Sequence, residues 1–148
     1  MKIISGGQTG VDRAALDVAL ELGIPCGGYC PKGRKAEDGP IDQKYPLQET
    51  GSGDYRVRTE MNVKESDGTL ILSKGKPTGG TALTVKKAEK HSKPCIVVDL
   101  DKENDFDSVR QWIEKNDIAV LNVAGPRGSK NPAIYEQAVD FLKEIFQR

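Results

Sequence analysis

The sequence carries no surplus charge of either sign, since Lys plus Arg and Asp plus Glu both number 22. That balance removes the broad electrostatic footprint of a nucleic-acid or membrane-surface binder, so a charged ligand has to be met locally. No apolar run approaches the roughly 20 residues a bilayer demands. With 36% apolar and 30% charged residues the chain reads as a soluble globular protein rather than a disordered one. Three cysteines, Cys26, Cys30 and Cys95, are an odd set in a chain long enough to bury a real core, which argues for free thiols over a disulfide framework. Cys26 and Cys30 find no further zinc ligands at normal spacing, so no metal site is expected. The single histidine, His91, reads as a cap at a helix end, which leaves no histidine-dependent triad. The segment Met1–Gly6 lacks a leader's hydrophobic stretch, and the cytoplasm is the expected compartment.

What is present is an alternation of short apolar runs and helical periodicity over 148 residues, read as one domain spanning 1–148. Residues 2–5 form a first strand, and Val11, Ala15, Val18, Ala19 and Leu22 recur at helical spacing up to Gly23. Residues 24–30 read as a second strand and 31–54 as a long ordered loop. A helix over 55–65, with Val57 and Met61 inward, precedes a strand at 69–73. A helix over 81–91, a strand at 95–100, a helix marked by Phe106, Val109 and Ile113, and a strand at 118–123 follow. The last helix carries Ile134, Ala138, Phe141, Leu142 and Ile145, with Asn131 as N-cap and Pro132 at its first position. Such alternation specifies an α/β, doubly wound, mostly parallel sheet of Rossmann-like type with helices on both faces.

In that architecture ligands bind beyond the carboxyl ends of the strands. Three glycine-rich turns stand there: Gly6-Gly7-Gln8-Thr9-Gly10, Gly75-Lys76-Pro77-Thr78-Gly79-Gly80-Thr81, and Gly125-Pro126-Arg127-Gly128-Ser129-Lys130. Each opens a helix, whose free N–H groups and positive dipole end suit a phosphate. Residues 73–81 and 124–131 contain Lys74, Lys76, Arg127 and Lys130 and no acid. No turn matches the dinucleotide or Walker patterns, which counts against NAD redox chemistry and NTP hydrolysis. Arg34 in the long loop, and Arg58 with Asn62 on the helix after it, add polar groups suited to an anion.

The blocks Ser5-Gly6-Gly7-Gln8-Thr9-Gly10-Val11-Asp12-Arg13, Cys30-Pro31-Lys32-Gly33-Arg34-Lys35-Ala36-Glu37-Asp38-Gly39, Arg58-Thr59-Glu60-Met61-Asn62-Val63, Ser66-Asp67-Gly68-Thr69-Leu70-Ile71, Thr78-Gly79-Gly80-Thr81 and Leu121-Asn122-Val123-Ala124-Gly125-Pro126-Arg127 resemble the molybdenum carrier protein family. The resemblance spans nearly the whole chain. It implies a Rossmann-like scaffold that holds the molybdenum cofactor (molybdopterin) and protects it before delivery to an apo-molybdoenzyme. It also implies kinship with lysine-decarboxylase-like phosphoribohydrolases. Thr84 stands where those enzymes' motif has a glutamate, and Pro77-Thr78-Gly79 departs from their Pro-Gly-Gly, which counts against N-glycosidic hydrolysis.

The expected function is therefore binding and carriage of the molybdenum cofactor or a related phosphorylated heterocycle. The ligand would be held by Gly6, Gly7, Gln8, Thr9, Gly10, Arg34, Arg58, Asn62, Thr78, Gly79, Gly80, Thr81, Arg127, Ser129 and Lys130. No catalytic residue is assigned. The alternatives are a nucleoside-monophosphate phosphoribohydrolase, with Asp12, Glu37, Asp38 or Glu60 as acid or base, and a nucleotide-sensing module. The expected partners are a small phosphorylated ligand and a recipient apo-enzyme, with no nucleic acid or membrane, and the resemblance suggests a homo-oligomer.

Overall fold

A computed structural model describes residues 1–147. Apolar runs with few polar interruptions become parallel strands: β1 (Lys2–Ile4), β5 (Gly68–Ser73), β6 (Cys95–Asp99) and β7 (Val120–Ala124). They join β2 (Cys26–Gly27) in a five-stranded sheet ordered β2-β1-β7-β5-β6, parallel throughout. The connecting helices are α1 (Val11–Leu22), α2 (Tyr55–Glu65), α3 (Gly79–Lys90), α4 (Phe106–Lys115) and α5 (Ile134–Phe146). The expected α/β, mostly parallel, Rossmann-like arrangement is the one observed. No helix of the described residues is long and apolar enough to cross a membrane.

The two faces of the sheet differ in chemistry. Ile3, Leu70, Leu72, Leu121 and Val123 pack with α1, α4 and α5 into one apolar cluster that includes Val18, Val109, Ile134, Phe141 and Leu142. Strand residues alternate faces, so Thr69 and Asn122 turn the other way, and the Asn122 amide donates to the Thr69 hydroxyl at 3.3 Å. Against that polar face lie α2 and α3, whose buried residues are Thr59, Asn62, Val63, Thr81, Thr84 and Ala88. This corrects the reading of α2. Val57 is exposed, because the helix docks through a polar stripe that apolar periodicity does not reveal.

The expected strand over 24–30 is interrupted. Cys26–Gly27 pairs with β1, whereas β3 (Tyr29–Cys30) leaves the sheet to pair with β4 (Gln48–Glu49). The Asn62 amide holds this departure, accepting from the Tyr29 N–H at 2.8 Å and donating to the Tyr29 carbonyl at 2.9 Å. Within the long loop, the Arg34 guanidinium donates to the carbonyls of Ile41, Leu47, Asp42 and Tyr45. One buried side chain thus ties a stretch that has little secondary structure.

Two helix starts also move. α3 begins at Gly79, two residues before its expected start, with Thr78 at its N-cap and no side-chain cap bond. α5 begins at Ile134, not at Pro132, because a turn closed by Ile134 N–H donating to the Asn131 carbonyl precedes it.

Candidate functional site

The strands β1, β7 and β5 are neighbours in the sheet. Their following turns therefore share one rim, at the place where the strand order reverses direction and an open α/β sheet forms a crevice. Gly10, at φ 82, lets two of these turns touch: a Cβ there would stand 2.3 Å from the Pro126 carbonyl oxygen. Between the rim and the start of α2 lies a cavity of about 380 Å³, within the range of small-molecule sites.

Of the expected ligand residues, Gln8, Arg58, Thr78, Gly79, Gly80, Thr81, Arg127 and Lys130 line this cavity. Gly6 and Asn62 border a small adjoining void of about 10 Å³, shared with Asp12, Arg58, Thr59, Thr84 and Asn122. Gly7, Thr9, Gly10, Arg34 and Ser129 stand on neither wall.

Four of the expected residues spend polar groups inside the protein. Arg34 is only 9% exposed and spends its donors on four loop carbonyls, away from the cavity walls. Asn62 uses both ends of its amide on Tyr29. Ser129 and Thr9 are engaged by Glu37, whose carboxylate accepts from the Ser129 N–H at 3.0 Å, the Ser129 hydroxyl at 2.6 Å and the Thr9 hydroxyl. The nest expected to take a phosphate in the Gly125–Lys130 turn thus already holds an internal carboxylate. Partial burial opposes ionisation of Glu37, but those hydroxyls, the Ser129 N–H and nearby Arg127 together hold it below its ordinary range.

The second nest stays open. Gly79 and Gly80, the first residues of α3, have no preceding helical carbonyl for their N–H groups. The first turn of α3 contains no acid. The Lys130 ammonium lies 3.1 Å from the point where a Cβ on Gly79 would stand. Lys74 pairs with Asp101 and Arg127 with Glu37, both at 3.6 Å. Among the described residues, Lys76 and Lys130 have no carboxylate within ion-pair distance. Two unneutralised cations therefore border the positive end of a helix dipole.

At the other side of the cavity Arg58 and Asp12 meet. Arg58 Nη1 lies 3.7 Å from Asp12 Oδ2 and donates to the Thr59 hydroxyl at 3.1 Å, while its buried Nε has no partner. Gly6 makes room for this guanidinium, since a Cβ there would stand 2.5 Å from Arg58 Nη1. Burial pushes the Asp12 carboxyl up to about 6, against the opposing pull of Arg58, the Gln8 N–H and Arg13.

The other acids weighed for catalysis are engaged elsewhere. Asp38 pairs with Arg13, and Glu60 is held at about 2 by hydrogen bonds from Lys90 and His91, away from the cavity. His91 is the C-cap of α3, with its ring 2.8 Å from Glu60. The sequence reading did not assign Tyr55, Lys74, Lys76, Thr84, Asn131 or Asp12 to the binding set, yet all line the cavity. For Lys74 and Lys76 the acid-free composition of residues 73–81 was a usable signal. For Thr84 the usable signal was its place at the glutamate position of the phosphoribohydrolase motif, whereas for Tyr55 and Asn131 no local pattern points to a ligand.

The model of the circularly permutated YpsA SLOG family matches residues 3–146. The crystal structure of the "Putative molybdenum carrier protein" from Syntrophus aciditrophicus SB superposes with a TM-score of 0.94. It shares 50% sequence identity, and the match covers 98% of this chain and 94% of that one. No functionally curated protein matches the chain. A family match along almost its entire length, together with this close structural relative, means that the protein belongs to the circularly permutated YpsA SLOG family.

Proposed function

We propose that the protein binds and carries the molybdenum cofactor, or a closely related phosphorylated heterocycle, in the cavity at the β1-β7-β5 rim. The observation that carries this reading is the pair of unneutralised cations, Lys76 and Lys130, at the open N-terminus of α3. Cations there oppose the helix dipole, a placement that costs about 0.3–1 kcal/mol each until an anion arrives. An anion bound there would be stabilised by both ammoniums and by the Gly79 and Gly80 N–H groups. The name of the Syntrophus relative supports molybdenum carriage as the biological use. An apo-molybdoenzyme is the recipient under this reading, and a homo-oligomer remains the proposed assembly.

The test is elemental and mass analysis of protein purified from molybdate-supplied cells. The carrier reading expects molybdenum together with a releasable pterin, and the loaded protein should restore activity to a cofactor-free molybdoenzyme. Protein that retains a nucleotide and no molybdenum would replace this reading with the nucleotide-sensing one.

A second reading is favoured by one observation: Asp12, a carboxyl held near 6 on the wall of the cavity, is suited to proton transfer near neutral pH. Under it the protein is a phosphoribohydrolase-like enzyme acting on nucleoside monophosphates. Release of free base at a rate that collapses in Asp12→Asn would establish that reading and displace the carrier one.

A further inference from the structure

We infer that Asp12 is a specificity-determining residue of the cavity, whose unbonded carboxylate oxygen accepts a hydrogen bond from an N–H or O–H group at the non-phosphate end of the ligand. This rests on the anionic-ligand reading above and narrows it. The ligand class becomes a phosphorylated compound with a donor-bearing ring or sugar edge, as opposed to a bare oxyanion.

Asp12 is the one carboxylate on a wall that otherwise presents Arg56, Arg58, Lys74, Lys76, Arg127 and Lys130. Its side chain is 4% exposed. Oδ2 accepts from the Gln8 N–H at 3.3 Å and faces Arg58 at 3.7 Å, beyond hydrogen-bond reach. Among the described residues no group donates to Oδ1. Asp12 stands in the first turn of α1 and reaches back to the Gln8 N–H with Oδ2 alone, a helix-start contact that leaves Oδ1 uncommitted.

An acid serving only to neutralise Arg58 would be expected to satisfy its donors, yet Arg58 Nε is buried without a partner. Burial pushes the Asp12 carboxyl up, which means that the folded protein under-compensates this charge. Oδ1 is not sealed in the protein interior, so on this cavity wall it is open to a donor that arrives with the ligand. The same charge repels a second anionic group at that end of the cavity, so it rejects inorganic oxyanions there while accepting a donor-bearing edge.

The experiment is calorimetric titration of the full-length protein with four probes: inorganic pyrophosphate, ribose 5-phosphate, guanosine 5′-monophosphate and 6-hydroxymethylpterin pyrophosphate. Wild type, Asp12→Asn and Asp12→Ala are compared, and amide spectra with pyrophosphate follow Gly79 and Gly80. At least one donor-bearing probe should bind wild type tenfold or more tighter than pyrophosphate. Both variants should lose that advantage while binding pyrophosphate as tightly as wild type or tighter, a result that also shows they are folded. A gain with ribose 5-phosphate assigns the donor to a sugar diol, whereas a gain confined to the two ring-bearing probes assigns it to a heterocycle edge. Pyrophosphate shifts at Gly79 and Gly80 without any donor-dependent gain overturn the inference alone, as does a gain that survives in both variants. Absence of those shifts overturns the anion-site reading and the inference with it.

Discussion

At the scale of single residues, the site depends on side chains whose environment differs from that of a surface group of the same type. Asp12 is the clearest case. Its folded carboxyl sits near 6 against an ordinary 3.8 because of burial, so the folded state binds the proton more tightly than the unfolded chain does. Stability then falls as pH rises through the window from about 4 to about 6, by up to about 3 kcal/mol from this group. Chemical denaturation of wild type and Asp12→Asn at pH 4 and pH 7 reads this directly: the stability difference should move in favour of the variant by that order between the two pH values. A second residue-scale prediction concerns Gly10, whose φ of 82 and contact with Pro126 exclude a side chain. Gly10→Ala should lower stability by about 2–3 kcal/mol, visible as a fall in Tm, because left-handed strain and a backbone clash act together.

At the scale of elements, two segments rich in glycine, proline and lysine have opposite duties. The turn after β5 and the start of α3 leave their donors open, whereas the loop over 31–54 closes its own. Lys76→Ala and Lys130→Ala should each weaken pyrophosphate binding about tenfold, as expected for about 1.5 kcal/mol per charge-assisted contact. Titration calorimetry measures it, and unchanged Tm values would separate this loss from unfolding. Arg34→Ala should do the reverse. It removes donors from four buried or half-buried carbonyls, so it should cost about 2–3 kcal/mol of stability. Pyrophosphate affinity should stay within twofold of wild type. A matching loss of affinity would return Arg34 to the ligand set.

Element by element, the sequence is legible where burial is apolar. Strands β5, β6 and β7 and helices α1, α4 and α5 follow from apolar periodicity because they meet across a hydrophobic layer. Helix α2 is found as a helix, but Val57 is exposed and Met61 only half-buried, since the helix buries Thr59, Asn62 and Val63 instead. The strand expected over 24–30 is cut short by Asn62, 33 residues beyond Tyr29, and no local pattern announces so distant a bracket.

At the scale of the whole molecule, a chain of zero formal charge places six of its 22 Lys and Arg residues around one cavity, against a single carboxylate among the described residues that line it. Local concentration of charge makes anion binding sensitive to screening even though the total is neutral. Raising NaCl from about 50 to about 500 mM should weaken pyrophosphate binding about tenfold or more, because the Debye length shrinks from roughly 14 to roughly 4 Å. Isothermal titration across that range checks it. A salt-insensitive affinity would mean that the anion is held by backbone donors alone.

The sequence by itself determined the alternation of strand and helix, the parallel sheet and the glycine turns at its carboxyl edge, because periodicity and turn chemistry are local properties of the chain. Only the tertiary structure decided which polar groups remain free to bind. A donor is free or engaged according to partners that lie far along the chain: Gly128 meets Thr9 across 119 positions, and Ser129 meets Glu37 across 92. Those contacts fill one anion nest with a carboxylate and leave the other, at the start of α3, open beside Lys76 and Lys130.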